Sequence, residues 1–216
     1  MKKRSSGVLL HISSLPGDYG IGDLGKGAYD FLDFLEAAGQ TSWQILPIGI
    51  TGYGDSPYQS FSAFAGNPYF IDLNELIDMG YLDKKTVDKA DLGKSKHKIN
   101  YEKLYFNKMP LLRIAYDHAK VKLSHELEVF YNSERSWLED FALYMAIKEK
   151  NGNRSWIEWE PGYENSKTPE VESFKLTHKD DIYFWVFTQY FFFKQYHALK
   201  AVAAHKGIQI IGDLPI

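Results

Sequence analysis

Three short apolar segments constrain the fold of this chain more than any other feature. They are Gly7–His11, Ser42–Ile48 and Ile208–Ile211, and each runs at its C-terminal end into polar or Gly- and Pro-rich sequence. Short continuous apolar runs are typical of buried strands. Helical sequence separates the three segments, and strands that alternate with helices pair in parallel. The pattern therefore predicts an α/β fold on a parallel sheet of three buried strands.

Helical periodicity fills much of the remaining sequence. We predict helices over Lys26–Ala38, Asp72–Met79, Tyr101–Ala119, Ser133–Lys150 and Asp180–Lys206. Gly39, Gly80 and Gly207 stand where C-terminal stops belong, and Ser133 or Ser136 is placed to cap the fourth helix. The fifth helix is aromatic nearly all round, which predicts a position between two layers.

The helical stretch between the second and third strands exceeds what a crossover needs. We therefore expect an inserted helical subdomain at 73–170, after two strands and a loop at 1–72 and before a helix and strand at 171–216. The loop Gly49–Pro68 is unusually long, and loops of this length are usually functional or disordered. Its tyrosines and phenylalanines argue against disorder.

Candidate functional residues follow the strands, because α/β folds bind ligands beyond the carboxyl ends of their strands. They are His11, the loop residues Gly52–Pro68, and Asp213. A lone His at a strand end is more often structural than catalytic. Asp213 has a structural alternative too, as an acceptor for nearby backbone amides. Asp23 and Asp55 each follow a Gly in a tight loop, where Asp commonly caps its own backbone.

Composition excludes several classes of protein. The net charge of −3 gives no support for a nucleic-acid partner, and no apolar stretch is long enough for a transmembrane helix. The absence of cysteine, together with the lack of a signal-like start, favours the cytoplasm. Aromatic residues make up 16% of the chain, which fits either a well-filled core or a sugar-binding surface. We find no metal-ligand cluster or phosphate-binding motif, and we expect no metal and no cofactor.

The chain closely resembles the 4-α-glucanotransferases, or amylomaltases, of the α-amylase superfamily. The similar segments are Gly7–His11, Trp43–Pro47, the loop Gly52–Leu73 (GYGDSPYQSFSAFAGNPYFIDL) and Gly212–Ile216 (GDLPI). They occur in the same order at plausible spacing, and the loop match is long and specific. The resemblance implies a partial TIM (β/α)8 barrel, comprising its first three strands and an inserted helical subdomain.

The resemblance also implies a reaction. The family cuts an α-1,4-glucan, holds the glycosyl part on an Asp, and passes it to the 4-hydroxyl of another glucan or glucose, with a Glu as acid and base. Both catalytic carboxylates are expected after Ile216, so the chain alone is expected to be inactive. Three strands of an eight-stranded barrel leave an open sheet edge and an uncovered apolar helix face, so we also expect poor solubility.

Residue by residue, the resemblance implies substrate-binding roles. Tyr58 resembles the Tyr that stacks on the sugar beside the cleaved bond. Ser56 resembles a residue whose hydroxyl contacts the glucan, and Asp213 resembles an Asp that lines the same sugar site as Tyr58. Tyr53 and Tyr101 resemble a pair that supports a second glucan site. For Tyr53 and Tyr58, plain loop packing is the alternative. An inactive glucan-binding fragment and an α-glucan hydrolase are the rival functions.

Overall fold

Three short parallel strands form the sheet of the computed structural model, which describes residues 4–52, 54–95 and 97–215. Within these ranges the strands are β1 (Gly7–Leu9), β2 (Ser42–Gln44) and β3 (Gln209–Ile211), in the order β1-β2-β3. Trp43 of β2 lies opposite Val8 on one side and Ile210 on the other. The predicted α/β fold with a parallel three-stranded sheet is confirmed.

Helices make up most of the remaining described chain. They are α1 (Lys26–Ala37), α2 (Leu73–Asp78), α3 (Lys84–Lys89), α4 (Tyr101–Lys103), α5 (Met109–Ala119), α6 (Ser124–Ser133), α7 (Arg135–Lys150), α8 (Pro169–Thr177) and α9 (Lys179–His205). A π-helical segment, Leu104–Lys108, joins α4 to α5. The five predicted helices are confirmed. α3, α6 and α8 had no prediction of their own, since they are short and bury few side chains; α6 buries only Leu127.

Glycine explains three of the helix C-termini. Gly39, Gly80 and Gly207 follow their helices with φ of 66°, 73° and 70°, a left-handed conformation that glycine adopts without steric cost. The predicted cap at Ser133 or Ser136 is wrong. α7 begins after Glu134 without a side-chain cap, and Ser133 instead ends α6, where its hydroxyl donates to the Phe130 carbonyl.

The prediction that all three strands are buried is wrong for the outer two. Trp43 is fully buried, with its ring 5.0 Å from Phe31 of α1. Leu9 is 56% exposed and Ile211 is 41% exposed, and both are in register with the exposed Gln44. Successive side chains of a strand point to opposite faces, so α1 covers the face that carries Trp43 while the face that carries Leu9 stays open.

The chain divides into two compact units. The first comprises Met1–Ala119 with Phe191–Ile216 and contains the sheet; the second is Lys120–Tyr190. In the second unit, six consecutive residues of α9, from 184 to 189, are each at most 5% exposed, so the helix is buried on every side there. The division at 1–72, 73–170 and 171–216 stays a prediction.

Candidate functional site

Two residues that are 155 positions apart in sequence meet beyond the carboxyl end of β3. The Tyr58 hydroxyl donates to Asp213 Oδ2 at 2.8 Å. Both side chains are exposed, Tyr58 by 44%. This bond, more than partial burial, raises the pKa of Tyr58, because it keeps the phenol protonated as a donor. The pair presents an exposed aromatic ring beside a carboxylate.

Asp213 is also engaged with the backbone. Its second oxygen, Oδ1, accepts a 2.9 Å hydrogen bond from the backbone N–H of Leu214. The alternative role in which Asp213 accepts from a nearby amide is therefore present alongside the bond from Tyr58. Because the two oxygens have different partners, the carboxylate is fixed in orientation although it is exposed to solvent.

The loop that carries Tyr58 is folded as an irregular hairpin. Antiparallel bridges join Gly49 to Gly66 and Thr51 to Ser60. Its tip turns through Gly54 and Asp55, which adopt φ of 93° and 55°. Backbone bridges at two positions along the hairpin therefore hold the loop in an ordered conformation.

Ser56 and Tyr58 belong to one turn at the tip of this hairpin. The half-buried Ser56 accepts a 3.4 Å hydrogen bond from the Tyr58 backbone N–H through its hydroxyl oxygen. The hydroxyl therefore lies next to the residue that reaches Asp213. Tyr53, the other predicted loop residue, lies outside the described residues.

Tyr101 lies in a second cluster, next to Asp55 of the same loop. Its ring is half-buried and its centroid is 6.3 Å from that of Tyr69. Burial and then the Asp55 carboxylate raise the pKa of Tyr101, while a hydrogen bond with Ser13 opposes them. Asn100 caps the start of α4 by accepting from the Lys103 N–H. The structure therefore groups Tyr58 with Asp213 and Ser56, and Tyr101 with Asp55 and Tyr69.

The contacts of the remaining candidates, His11, Asp23 and Asp55, suit structural roles. His11 is 8% exposed, and its ring packs edge-on against Phe70 at 5.4 Å. Burial lowers its pKa to about 4, so the ring is neutral at pH 7. Asp23 accepts from the Gly25 N–H at 3.0 Å, as expected for an Asp that caps its own backbone. Asp55 instead has its hydrogen bond from the side chain of Thr51.

Sequence reasoning missed a buried group of charges in the first unit. Lys108 is fully buried in the π-helical segment, and its Nζ donates to the Tyr69 carbonyl at 2.8 Å. Burial raises the pKa of Asp23 to about 6, and the positive charge of Lys108 partly opposes this rise. Burial lowers the pKa of Lys108 to about 8, and the Asp23 carboxylate partly opposes this fall. Asp72 contributes to the same field. The signal in the sequence was Lys108 itself, a lysine at a position where the helical periodicity predicts a buried apolar residue.

The parallel sheet, with a tyrosine–carboxylate pair beyond one strand, defines an α/β protein that places its polar site past the carboxyl ends of its strands. A family model described as 4-alpha-glucanotransferase matches residues 10–216. The chain therefore belongs to the 4-alpha-glucanotransferase family.

Individual relatives are similar over nearly the whole chain. The 4-alpha-glucanotransferase of Clostridium butyricum is 50% identical over 96% of this chain and 42% of its own length. That of Thermus thermophilus is 46% identical over 99% of this chain and 42% of its own length. The solved amylomaltase of Streptococcus agalactiae in complex with acarbose is 42% identical with a TM-score of 0.93, covering 98% of this chain and 43% of that one. The chain thus spans about two fifths of the length of these relatives.

Two features are absent from the described residues. None of the helices in residues 4–52, 54–95 and 97–215 is long and apolar enough to cross a membrane. Over the same ranges, no group of three or more His, Asp or Glu side chains is arranged to hold a metal ion.

Proposed function

We propose that this chain forms part of the sugar-binding wall of a 4-α-glucanotransferase, which transfers a segment of an α-1,4-glucan to the 4-hydroxyl of another glucan or of glucose. The observation that carries the proposal is the bond between Tyr58 and Asp213. Two residues with predicted sugar-binding roles lie far apart in sequence and are brought together at the edge of the sheet where ligands bind. The names of the relatives and the acarbose complex of one of them support the same substrate class.

Each site residue has a role that suits its chemistry. A pyranose ring has apolar C–H faces that pack on an aromatic ring, and hydroxyls that need polar partners. In our proposal the Tyr58 ring supports the sugar beside the cleaved bond, Asp213 accepts from a sugar hydroxyl, and Ser56 contacts the bound glucan. Because the bond from Tyr58 fixes Asp213 before substrate arrives, little ordering is left for binding. Tyr53 and Tyr101 support a second glucan site.

The open face of the sheet supports a larger architecture. Leu9, Gln44 and Ile211 lie side by side on this face and are exposed, and a cavity of about 310 Å³ opens beside them. Exposed apolar strand residues are costly unless other residues cover them. We propose that the sheet provides the first three strands of a TIM (β/α)8 barrel with an inserted helical subdomain, and that this face points into the barrel.

The bond-breaking chemistry is assigned to residues outside this chain. In the proposed retaining mechanism an Asp nucleophile forms a glycosyl ester and a Glu serves as acid and then base. In this proposal the two carboxylates lie in the part of the relatives' length that this chain does not span. The cysteine-free composition is consistent with a cytoplasmic location, which forms part of the proposal.

Incubation with maltotriose tests the proposed reaction. The protein expressed from its complete reading frame is expected to give glucose together with oligomers longer than maltotriose. Shorter products alone would support a hydrolase instead. The 216-residue chain by itself is expected to give neither set of products, and transfer by this chain would overturn the assignment of the carboxylates.

Two substitutions test the site. Tyr58→Ala and Asp213→Asn are expected to reduce transfer by the complete protein at least 10-fold, since the first removes the ring that supports the sugar and the second replaces an accepting carboxylate oxygen by an amide donor. Phe34→Ala is the matched control, because Phe34 is 57% exposed on α1 and has no role in the proposal. An equal loss in the control, or no loss in either site variant, would argue against this binding wall.

A further inference from the structure

A groove of about 460 Å³ lies in the second unit, between α8 and the loop that precedes it. Tyr163 lines it from the loop, and α8 lines it with residues that share one face of the helix: Glu170, Ser173, Phe174 and Thr177. The volume lies in the range of small-molecule sites. Tyr58 and Tyr101 belong to the first unit, so the groove needs an explanation of its own.

Aromatic rings line the groove. The Tyr163 ring meets the Phe174 ring edge-on, with centroids 6.0 Å apart and planes at 88°. The His178 ring lies parallel to that of Phe174 at 4.1 Å, and its Nδ1 is hydrogen-bonded to the Thr177 hydroxyl at 2.8 Å. Phe174 is 3% exposed, whereas Tyr163 and His178 are half-buried. The buried ring therefore anchors two others that keep part of their surface accessible.

Hydrogen bonds and close packing fix the loop against α8. Thr168 caps the helix by accepting from the Val171 backbone N–H at 3.3 Å, and the same hydroxyl donates to the Gly162 carbonyl. Gly162 has a φ of 101°, and a Cβ there would lie 2.5 Å from Cγ of Glu170, so the Glu170 stem packs directly on the loop. The groove is therefore formed before a ligand arrives, which lowers the ordering cost of binding.

Three polar side chains of the groove have unused hydrogen-bonding capacity. Within the part of the chain that the structure describes, the Glu170 carboxylate, the Ser173 hydroxyl and the Tyr163 phenol have no hydrogen-bond or ion-pair partner. A carboxylate only accepts, whereas a hydroxyl donates and accepts. A pyranose suits this set, because its C–H face packs on an aromatic ring and its hydroxyls do both. An organic ammonium would pair with the carboxylate but would offer the two hydroxyls no acceptor.

We propose that this groove of the second unit is a binding site for a pyranose sugar. The Tyr163 ring supports a C–H face of the sugar, Glu170 accepts from one sugar hydroxyl, and Ser173 bonds to another. The sugar is free glucose or the end unit of an α-linked glucan, since both sources share this chemistry. The choice of glucose rests on the proposed function, whereas the sugar class follows from the residues of the groove itself.

The test titrates sugars into the protein expressed from its complete reading frame and follows the ring signals of labelled histidines by NMR. His178 lines the groove, and His178→Gln identifies its signal. Glucose is expected to shift this signal saturably, with a Kd of about 1–10 mM. Methyl α-glucoside carries a substituent where a glucan would continue, so its binding assigns the groove to a chain end and its failure to bind assigns the groove to free glucose. Sorbitol has hydroxyls but no ring and should leave the signal unchanged.

Substitutions in the groove test the residues assigned to the sugar. Tyr163→Ala and Glu170→Gln are each expected to weaken glucose binding at least about 3-fold, since the first removes the ring face and the second the charged acceptor. Tyr163→Trp keeps a ring face and is expected to retain binding. Glu172→Gln is the matched control on the same helix; Glu172 forms an exposed ion pair with Lys175, and its loss should leave the Kd within about 2-fold. Glu170 is exposed, so its replacement leaves the fold intact.

The outcomes separate this inference from the proposed function. No saturable shift with either sugar, or an unchanged Kd in both Tyr163→Ala and Glu170→Gln, refutes the site. An equal shift with sorbitol, or a shift with butylammonium and with neither sugar, also refutes it. Failure of the parent protein to transfer glucose units would refute the proposed function alone, because the His178 signal reports glucose in the groove whether or not transfer occurs.

Discussion

Replacement of Lys108 by Met should destabilise the protein by an amount that depends on pH. The substitution leaves the Tyr69 carbonyl without its donor, a loss of about 1–3 kcal/mol for a buried polar group. It also removes the positive charge that opposes the desolvation of Asp23 and Asp72, and breaking a buried charge pair costs about 3–5 kcal/mol. Removal of the buried ammonium also relieves its own desolvation, which offsets part of these two losses, so we expect a net loss of about 3 kcal/mol at pH 7.

The pH dependence follows from Asp23. Its folded-state pKa of about 6 lies above the ordinary 3.8, so its contribution to stability is fully present below pH 3.8 and is lost as pH rises through about 6. Without Lys108 the folded-state pKa rises further, so the same loss grows larger. At pH 5 Asp23 is mostly neutral in both proteins, and we expect Lys108→Met to cost only about 1–2 kcal/mol, mainly through the lost hydrogen bond.

Urea denaturation followed by tryptophan fluorescence at pH 5 and pH 7 measures this difference. Adding Asp23→Asn to Lys108→Met should recover at least about 1 kcal/mol at pH 7, because it removes the uncompensated carboxylate and keeps an oxygen for the Gly25 N–H. Lys194→Met is the matched control. Lys194 pairs with Glu75 at the surface, and its loss should cost at most about 1 kcal/mol at either pH. Equal costs of Lys108→Met at both pH values, or no recovery in the double variant, would refute this account.

Two further predictions concern the loop and its packing. Tyr58→Phe keeps the ring but removes the bond to Asp213, so KM for maltotriose should rise while the melting temperature stays within about 1 °C; an unchanged KM would show that the bond does not organise the site. Gly66→Ala should destabilise by about 1–3 kcal/mol in a denaturant titration, because its Cβ would lie 2.1 Å from ring carbons of Phe192. Gly212→Ala, with no atom within 4 Å of the added carbon, serves as the control and should melt like the parent protein.

Helical periodicity predicted where helices lie, but it did not distinguish a buried lysine from the apolar residues on the same face of the helix. Lys108 and Lys148 both occupy stripe positions among apolar residues, and both are buried. Each donates to backbone carbonyls: Lys108 to Tyr69, and Lys148 to Asn153 and Arg154 at 2.9 Å. A periodic pattern shows which face a residue occupies. It does not show that a distant segment has unpaired carbonyls opposite that face.

Prediction of strand burial failed for a related reason. An apolar run indicates that a strand is suited to burial on both faces, but neighbouring elements decide whether the burial occurs. Trp43 lies on the face that α1 covers, whereas Leu9 and Ile211 lie on the opposite face and are exposed. The apolar runs do not distinguish the two faces of the sheet, so only the packing shows which face is covered.

The amino-acid sequence by itself determined the three strands, the five longer helical segments and the glycine stops, because each depends on neighbours within a few positions; the residues expected to contact sugar followed from the resemblance of its motifs to a family. The tertiary structure alone decided that Tyr58 meets Asp213 across 155 positions, that Tyr101 lies beside Asp55, and that Lys108 is buried next to Asp23. Such contacts depend on how the elements pack. Packing places residues together through the summed burial of many side chains, which no local pattern of residues records.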